Sequence, residues 1–104
     1  MVRGPAGIDG TGCGERLMRA IWKYTFPVVD SFALEMPLGA VVLAVQLQRV
    51  APTMWARVDP EAPKVKEWFR IVGTGHLHVD NDRWRYVGTW QDGDLVWHLF
   101  HEAS

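Results

Sequence analysis

From Arg19 onward the chain is cut into strand-length runs, and none of them holds a helical period for three turns. Within the runs the side chains alternate. Phe32, Leu34 and Met36 interleave with Ala33 and Glu35, and Met54, Ala56 and Val58 interleave with Trp55, Arg57 and Asp59. A period of two sends successive side chains to opposite faces of an extended chain, so each run can cover one face of a core. Ile21 to Phe26 predicts a strand with Trp22, Tyr24 and Phe26 on one face. Val41 to Gln48 predicts another, with Leu43, Val45 and Leu47 opposite Gln46 and Gln48. Lys66 to Val72 follows, then Trp84 to Trp90 with Trp84, Tyr86 and Trp90 sharing a face. In Leu95 to His101, Leu95, Trp97 and Leu99 oppose Val96, His98 and Phe100. Turn signals separate the runs: Pro27 to Ser31, Pro37-Leu38-Gly39, Val50 to Pro52, Asp59 to Pro63, Gly73 to Arg83, and the hairpin signal Gln91-Asp92-Gly93-Asp94. The expectation is an all-β fold, or a β-rich α+β fold if Asp59 to Trp68 holds a short helix. It would have about seven short, mostly antiparallel strands in a small sandwich or barrel.

A chain of 104 residues has room for one domain. At this size only roughly 60% of the unfolded surface is buried, so the core must be dense. The composition supplies it, with 48% hydrophobic residues and six Trp. That is more aromatic surface than one small core needs, which places some Trp at a subunit interface or a ligand site. Net charge is −1 with the signs interspersed, unlike the basic stripe of a nucleic-acid binder, so no nucleic-acid partner is expected. The longest apolar run, Ala40 to Val45, is strand-length and far short of a membrane-spanning helix, so a soluble protein with no membrane partner is expected. A single cysteine, Cys13, rules out an intrachain disulfide and fits a reducing cytoplasm. The N-terminus lacks the apolar stretch of a signal peptide.

Residues 1–17 differ from the rest, with Gly4, Gly7, Gly10, Gly12, Gly14 and Pro5 and no hydrophobic period. They read as a flexible Gly-rich tail. They read equally as an upstream extension outside the native protein, because Gly14-Glu15 can be encoded by a purine-rich stretch placed like a ribosome-binding site before Met18. The single β-rich domain is therefore set at 18–104.

Gly73-Thr74-Gly75-His76 is the most distinctive string. It could form a nest of backbone N–H groups around a phosphate or carboxylate, with Thr74 and His76 adding donors. The commoner use of such a string is a turn or bulge that needs positive φ. It lacks the Gly-Lys-Ser/Thr ending of a P-loop, and no cofactor is expected. His76, His78, Asp80 and Asp82 alternate, and if extended they would share one face. His76, His78 and Asp80 are then weak candidate metal ligands, set against the commoner solvated loop. His98 and His101 lie an odd number of residues apart and point to opposite faces, which makes them poor co-ligands. Trp55, Trp68, Trp84 and Trp90 are candidates for stacking on a flat ligand. Trp55 shares a face with Arg57, and Trp68 with Arg70, so a cation could sit beside a ring in each case. Nucleophilic catalysis has little support: Cys13 lies in the tail, and Ser31 and Ser104 have no neighbouring base in sequence.

Blocks across Met18–His101 carry a resemblance to a known family. They are Ile21-Trp22-Lys23-Tyr24, Met36-Pro37-Leu38-Gly39-Ala40, Val45-Gln46-Leu47-Gln48, Trp55-Ala56-Arg57-Val58-Asp59-Pro60, Phe69-Arg70-Ile71-Val72-Gly73-Thr74-Gly75-His76 and Tyr86-Val87-Gly88-Thr89. In these the chain resembles a family of small bacteriophage and prophage proteins, a domain of unknown function. The resemblance implies expression in a host bacterium and brings no catalytic residues with it. His78 is less typical of the pattern than His76.

The expected function is a non-enzymatic phage accessory module in the host bacterial cytoplasm, in a counter-defence or host-takeover role. It is expected as a homo-oligomer that binds a small anionic ligand or a host protein. The expected contacts are Gly73, Thr74, Gly75 and His76 together with Trp55 and Arg57. Two alternatives stand beside it: a metal-assisted hydrolase using His76 and His78, and a minor virion or assembly component.

Overall fold

The computed structural model describes residues 18–102, and the alternating runs become seven strands with no helix among the described residues. They are β1 (Ala20–Thr25), β2 (Ser31–Pro37), β3 (Val41–Gln48), β4 (Ala51–Val58), β5 (Lys64–Gly73), β6 (Trp84–Asp92) and β7 (Leu95–Glu102). All pairings are antiparallel, in a three-stranded sheet ordered β1-β4-β3 and a four-stranded sheet ordered β2-β5-β7-β6. The fold is all-β, and Asp59 to Trp68 holds a turn and the start of β5 in place of a helix. The tail 1–17, with Cys13, lies outside the described residues, as does Ser104.

The inward faces of both sheets share one core. Met54, Ala56 and Val58 of β4 meet Met36 of β2, Phe69 and Ile71 of β5, Leu99 of β7 and Trp90 of β6. Phe69, Met36, Met54, Leu99 and Val58 are fully buried, and burial of such a side chain stabilises the fold by roughly 1.5–3 kcal/mol. One column of rings crosses this core. Phe26 stacks on Phe32 at 5.0 Å, Phe32 on Phe69 at 5.3 Å, and Phe69 on the His101 imidazole at 4.5 Å. His101 Nε2 lies 2.7 Å from Glu67 Oε1, so the column ends on a buried polar pair.

Two strands depart from simple alternation, and each departure is a bulge. In β3 the register shifts between Val42 and Ala44. Leu43 becomes the extra residue and is exposed, while Val42 packs on the core with Val45 and Leu47. The single face expected for Leu43, Val45 and Leu47 is corrected accordingly. In β6 the shift falls between Tyr86 and Gly88. Trp84 and Tyr86 pair with Glu102 and Phe100 on the outward side, and Trp90 turns inward to become buried. The expected common face of Trp84, Tyr86 and Trp90 is therefore split, because the extra residue reverses the parity beyond it. Gly88 lies against Val45 of β3: a Cβ there would stand 2.8 Å from Val45 Cγ1.

Turn chemistry follows the sequence with two adjustments. The β6–β7 loop is Gly93-Asp94, where Gly93 takes φ +61° and Asp94 does not go positive, the pattern of a type II′ turn. The β3–β4 loop is Arg49-Val50 and not Val50 to Pro52, and Arg49 takes φ 60°. Pro52 belongs to β4, opposite Leu47 near the end of the ladder, where a missing N–H disturbs pairing least.

Candidate functional site

The outward face of the four-stranded sheet carries the chemistry. The pairing sets Ser31 beside Arg70, and Arg70 beside Phe100, which pairs with Tyr86. Along the next row Ala33 faces Trp68, and Glu102 faces Trp84. Trp68 and Trp84 thus flank Glu102, and Trp68 stays 44% exposed. The Arg70 guanidinium carbon lies 4.3 Å from the centre of the Trp84 ring, a cation–π contact. The partner of Arg70 is Trp84 on β6, not Trp68 on its own strand as the sequence suggested. Arg83 Nε donates to Glu102 Oε2 at 2.6 Å. A cavity of about 380 Å³ opens between these groups, lined by Ser31, Trp68, Arg70, Arg83, Trp84 and Glu102. Two guanidiniums and one carboxylate leave it net positive, with Trp68 and Trp84 among its walls.

The β5–β6 connection borders the same face. His78 packs its ring on Phe100 at 5.3 Å, and Tyr86 meets the same Phe100 edge-on at 5.7 Å. A second cavity, about 410 Å³, lies between the loop and the sheet, with Asp30, Ser31, Arg70, Val72, His76 and His78 among its walls. Asn81 holds the far end of the loop: its Oδ1 accepts from the Arg83 N–H at 2.8 Å and its carbonyl from the Trp84 N–H at 3.3 Å.

Gly73-Thr74-Gly75-His76 is a tight turn. The His76 N–H donates to the Gly73 carbonyl at 3.0 Å and Gly75 takes φ +89°, the pattern of a type II turn. The Thr74 N–H donates to the Val96 carbonyl at 3.1 Å. Two amides that a nest would aim at an anion are therefore engaged within the chain. Gly73 serves close packing, since a Cβ there would meet His76 Nδ1 at 2.9 Å and Trp97 Cζ3 at 3.2 Å. Trp55 and Arg57 do share a face, but it is the outward face of the three-stranded sheet, in rows with Lys23 and Ile21. They are on a different sheet from Gly73–His76, and neither of the two cavities described above includes them.

A chain of hydroxyls runs across β5, β7 and β6. Thr74 Oγ1 lies 2.7 Å from His98 Nε2, His98 Nδ1 lies 2.8 Å from Thr89 Oγ1, and Thr89 Oγ1 lies 2.5 Å from the Tyr86 hydroxyl. The Thr74 hydroxyl also reaches the Val96 carbonyl at 3.4 Å. With Thr74 donating there, His98 donates from Nε2, Thr89 donates to Nδ1 and Tyr86 donates to Thr89, so one tautomer satisfies every link. The sequence shows the alternation that brings Thr89 and His98 to one face only after the bulge at Val87 is known. His98 is thus held between two threonine hydroxyls.

His76, His78, Asp80 and Asp82 do not converge. Among the described residues no three His, Cys, Asp or Glu side chains gather as a metal ion would need. Asp80 and Asp82 line a separate hollow with Asn81, Trp84 and Arg85. Among the described residues no helix is long and apolar enough to cross a membrane.

Residues 18–104 match the family described as a domain of unknown function, DUF7352. All the sequence blocks quoted above lie inside that match. No curated protein and no solved structure matches the chain.

Proposed function

The chain belongs to the DUF7352 family, and we propose that it is a non-enzymatic module that binds a small planar anion of the nucleotide class on the outward face of its four-stranded sheet. The observation that carries this reading is Arg70 set over Trp84 in a cavity whose other walls include Trp68 and Arg83. An indole face takes a flat ring by stacking, worth about 1–3 kcal/mol per base where it has been measured by alanine substitution. A guanidinium beside it takes a phosphate or carboxylate through charge-assisted hydrogen bonds. Ser31, directly across from Arg70, adds a hydroxyl. The resemblance to small phage proteins supports placing this binding in the cytoplasm of a bacterial host, where sequestering a nucleotide would serve a counter-defence role.

The test is calorimetry and tryptophan fluorescence with adenosine monophosphate, adenosine and inorganic phosphate. The monophosphate binds tightest, since it alone supplies both ring and anion. Arg70→Ala weakens it by about tenfold or more, the scale of a hydrogen bond to a charged group. Trp68→Ala weakens it similarly while the fold persists. No heat and no quenching with any nucleotide overturns the reading.

A further inference from the structure

The two cavities on this face adjoin at one cross-strand pair. Ser31 and Arg70 are direct partners in the β2–β5 ladder, and both residues line both cavities. On one side of the pair lies the Trp68–Trp84 seat, and on the other lies the seat under the loop, with His76, His78 and Asp30. The volumes, about 380 and 410 Å³, are each in the range of a small-molecule site. A mononucleotide fills one and leaves the other open.

From this arrangement, and resting on the reading above, we infer that the ligand has two ring systems joined through a phosphate, a dinucleotide. One base lies against Trp68 and Trp84. The linking phosphate sits at the seam, where Ser31 offers a hydroxyl and Arg70 a charge. The second base enters under the loop, where the imidazole of His78 supplies a flat neighbour. The carboxylate of Asp30 can accept there from an exocyclic amino group, a contact that a phosphate would be repelled from. The charge therefore varies along the groove: Arg70 is cationic at the seam, Arg83 is paired with Glu102 in the first seat, and Asp30 is anionic in the second. That order matches base, phosphate, base and not a ligand with charges at its ends.

The experiment titrates the intact protein with the dinucleoside monophosphate ApA and with adenosine monophosphate, following tryptophan fluorescence. The dinucleotide is expected to bind at least about tenfold tighter. His78→Ala is expected to bring the ratio of the two affinities down to about two. Asp30→Asn, which keeps the shape of the side chain, is the second variant and is expected to lower the ratio for adenine dinucleotides. Equal affinities in the parent protein, or a ratio that neither substitution moves, overturn the two-seat inference and leave the single-seat reading standing. Failure of both ligands to bind removes the two together.

Discussion

Phe69 and Trp68 are neighbours on β5 and face opposite ways, and the two sides of the four-stranded sheet treat aromatic rings differently. On the inward side the rings partner one another. Phe26, Phe32, Phe69 and His101 form a continuous stack, and the pair at its end, His101 with Glu67, is largely buried. On the outward side the rings are more open: Phe100 meets Tyr86 and His78, and one indole partners a cation. Arg70 lies on Trp84, Trp68 is 44% exposed, and Tyr86 and His98 end in a hydroxyl chain at the surface. A ring covered by rings contributes to stability. A ring left half-open with a cation beside it contributes little to folding and is available to a ligand.

The largest expected effect tests that division at its narrowest point. Phe69→Ala empties the middle of the stack and is expected to cost about 3–5 kcal/mol in urea unfolding. Trp68→Ala, one residue away, is expected to cost under about 1 kcal/mol and to act on ligand affinity instead. Equal costs would break the comparison. They would mean that the outward face is covered in solution, as in the homo-oligomer the tryptophan count suggested.

A smaller effect separates the two histidines of β7. Glu67→Ala leaves the His101 ring without its 2.7 Å partner in a buried place, with an expected cost of about 1–3 kcal/mol. Thr89→Ala removes a similar contact from His98 at an exposed position, where water replaces it, and is expected to cost no more than about 0.5 kcal/mol. A thermal melt of each variant checks the difference. A Thr89 cost matching the Glu67 cost would show that the hydroxyl chain is structural.

These positions also show what could be read from the sequence. The faces of β1, β2, β4 and β7 follow strict alternation, so Tyr24, Phe32, Met54 and Leu99 could be placed inward from the sequence alone. Alternation failed in β3 and β6, where Leu43 and Val87 are extra residues. A bulge shifts parity without changing the local composition, so Trp90 carried no sign of its burial. The site suffered for a related reason. Trp68, Arg70 and Trp84 were all recognisable as chemistry-bearing, but their meeting depends on β7 lying between β5 and β6. Strand order is a long-range property that spacing along the chain does not encode. Trp55 with Arg57 presented the same local signature as Trp68 with Arg70, and only the sheet topology separates them.

The smallest effect compares two tyrosines. The Tyr86 hydroxyl is exposed and bonded to Thr89, whereas the Tyr24 hydroxyl points into the shared core with no hydrogen-bond partner among the described residues. Burial raises the Tyr24 pKa above its ordinary value of 10.0, because the phenolate would lose its hydration. The neutral phenol is thus favoured more strongly in the folded chain than in the unfolded one. Below pH 10 both states keep the proton, and the group imposes no pH dependence. As pH rises past that value the unfolded chain ionises first, and stability falls until the pH passes the folded pKa. Tyr24→Phe removes both the unpartnered hydroxyl and this alkaline loss. At neutral pH it is expected to be neutral, or to stabilise by up to about 1 kcal/mol. Its advantage over the parent should widen as the pH rises above 10 in urea titrations. If the two proteins instead lose stability in parallel across that range, the Tyr24 hydroxyl is solvated in the folded state, and the inward face of the three-stranded sheet admits water that the inward face of its partner excludes.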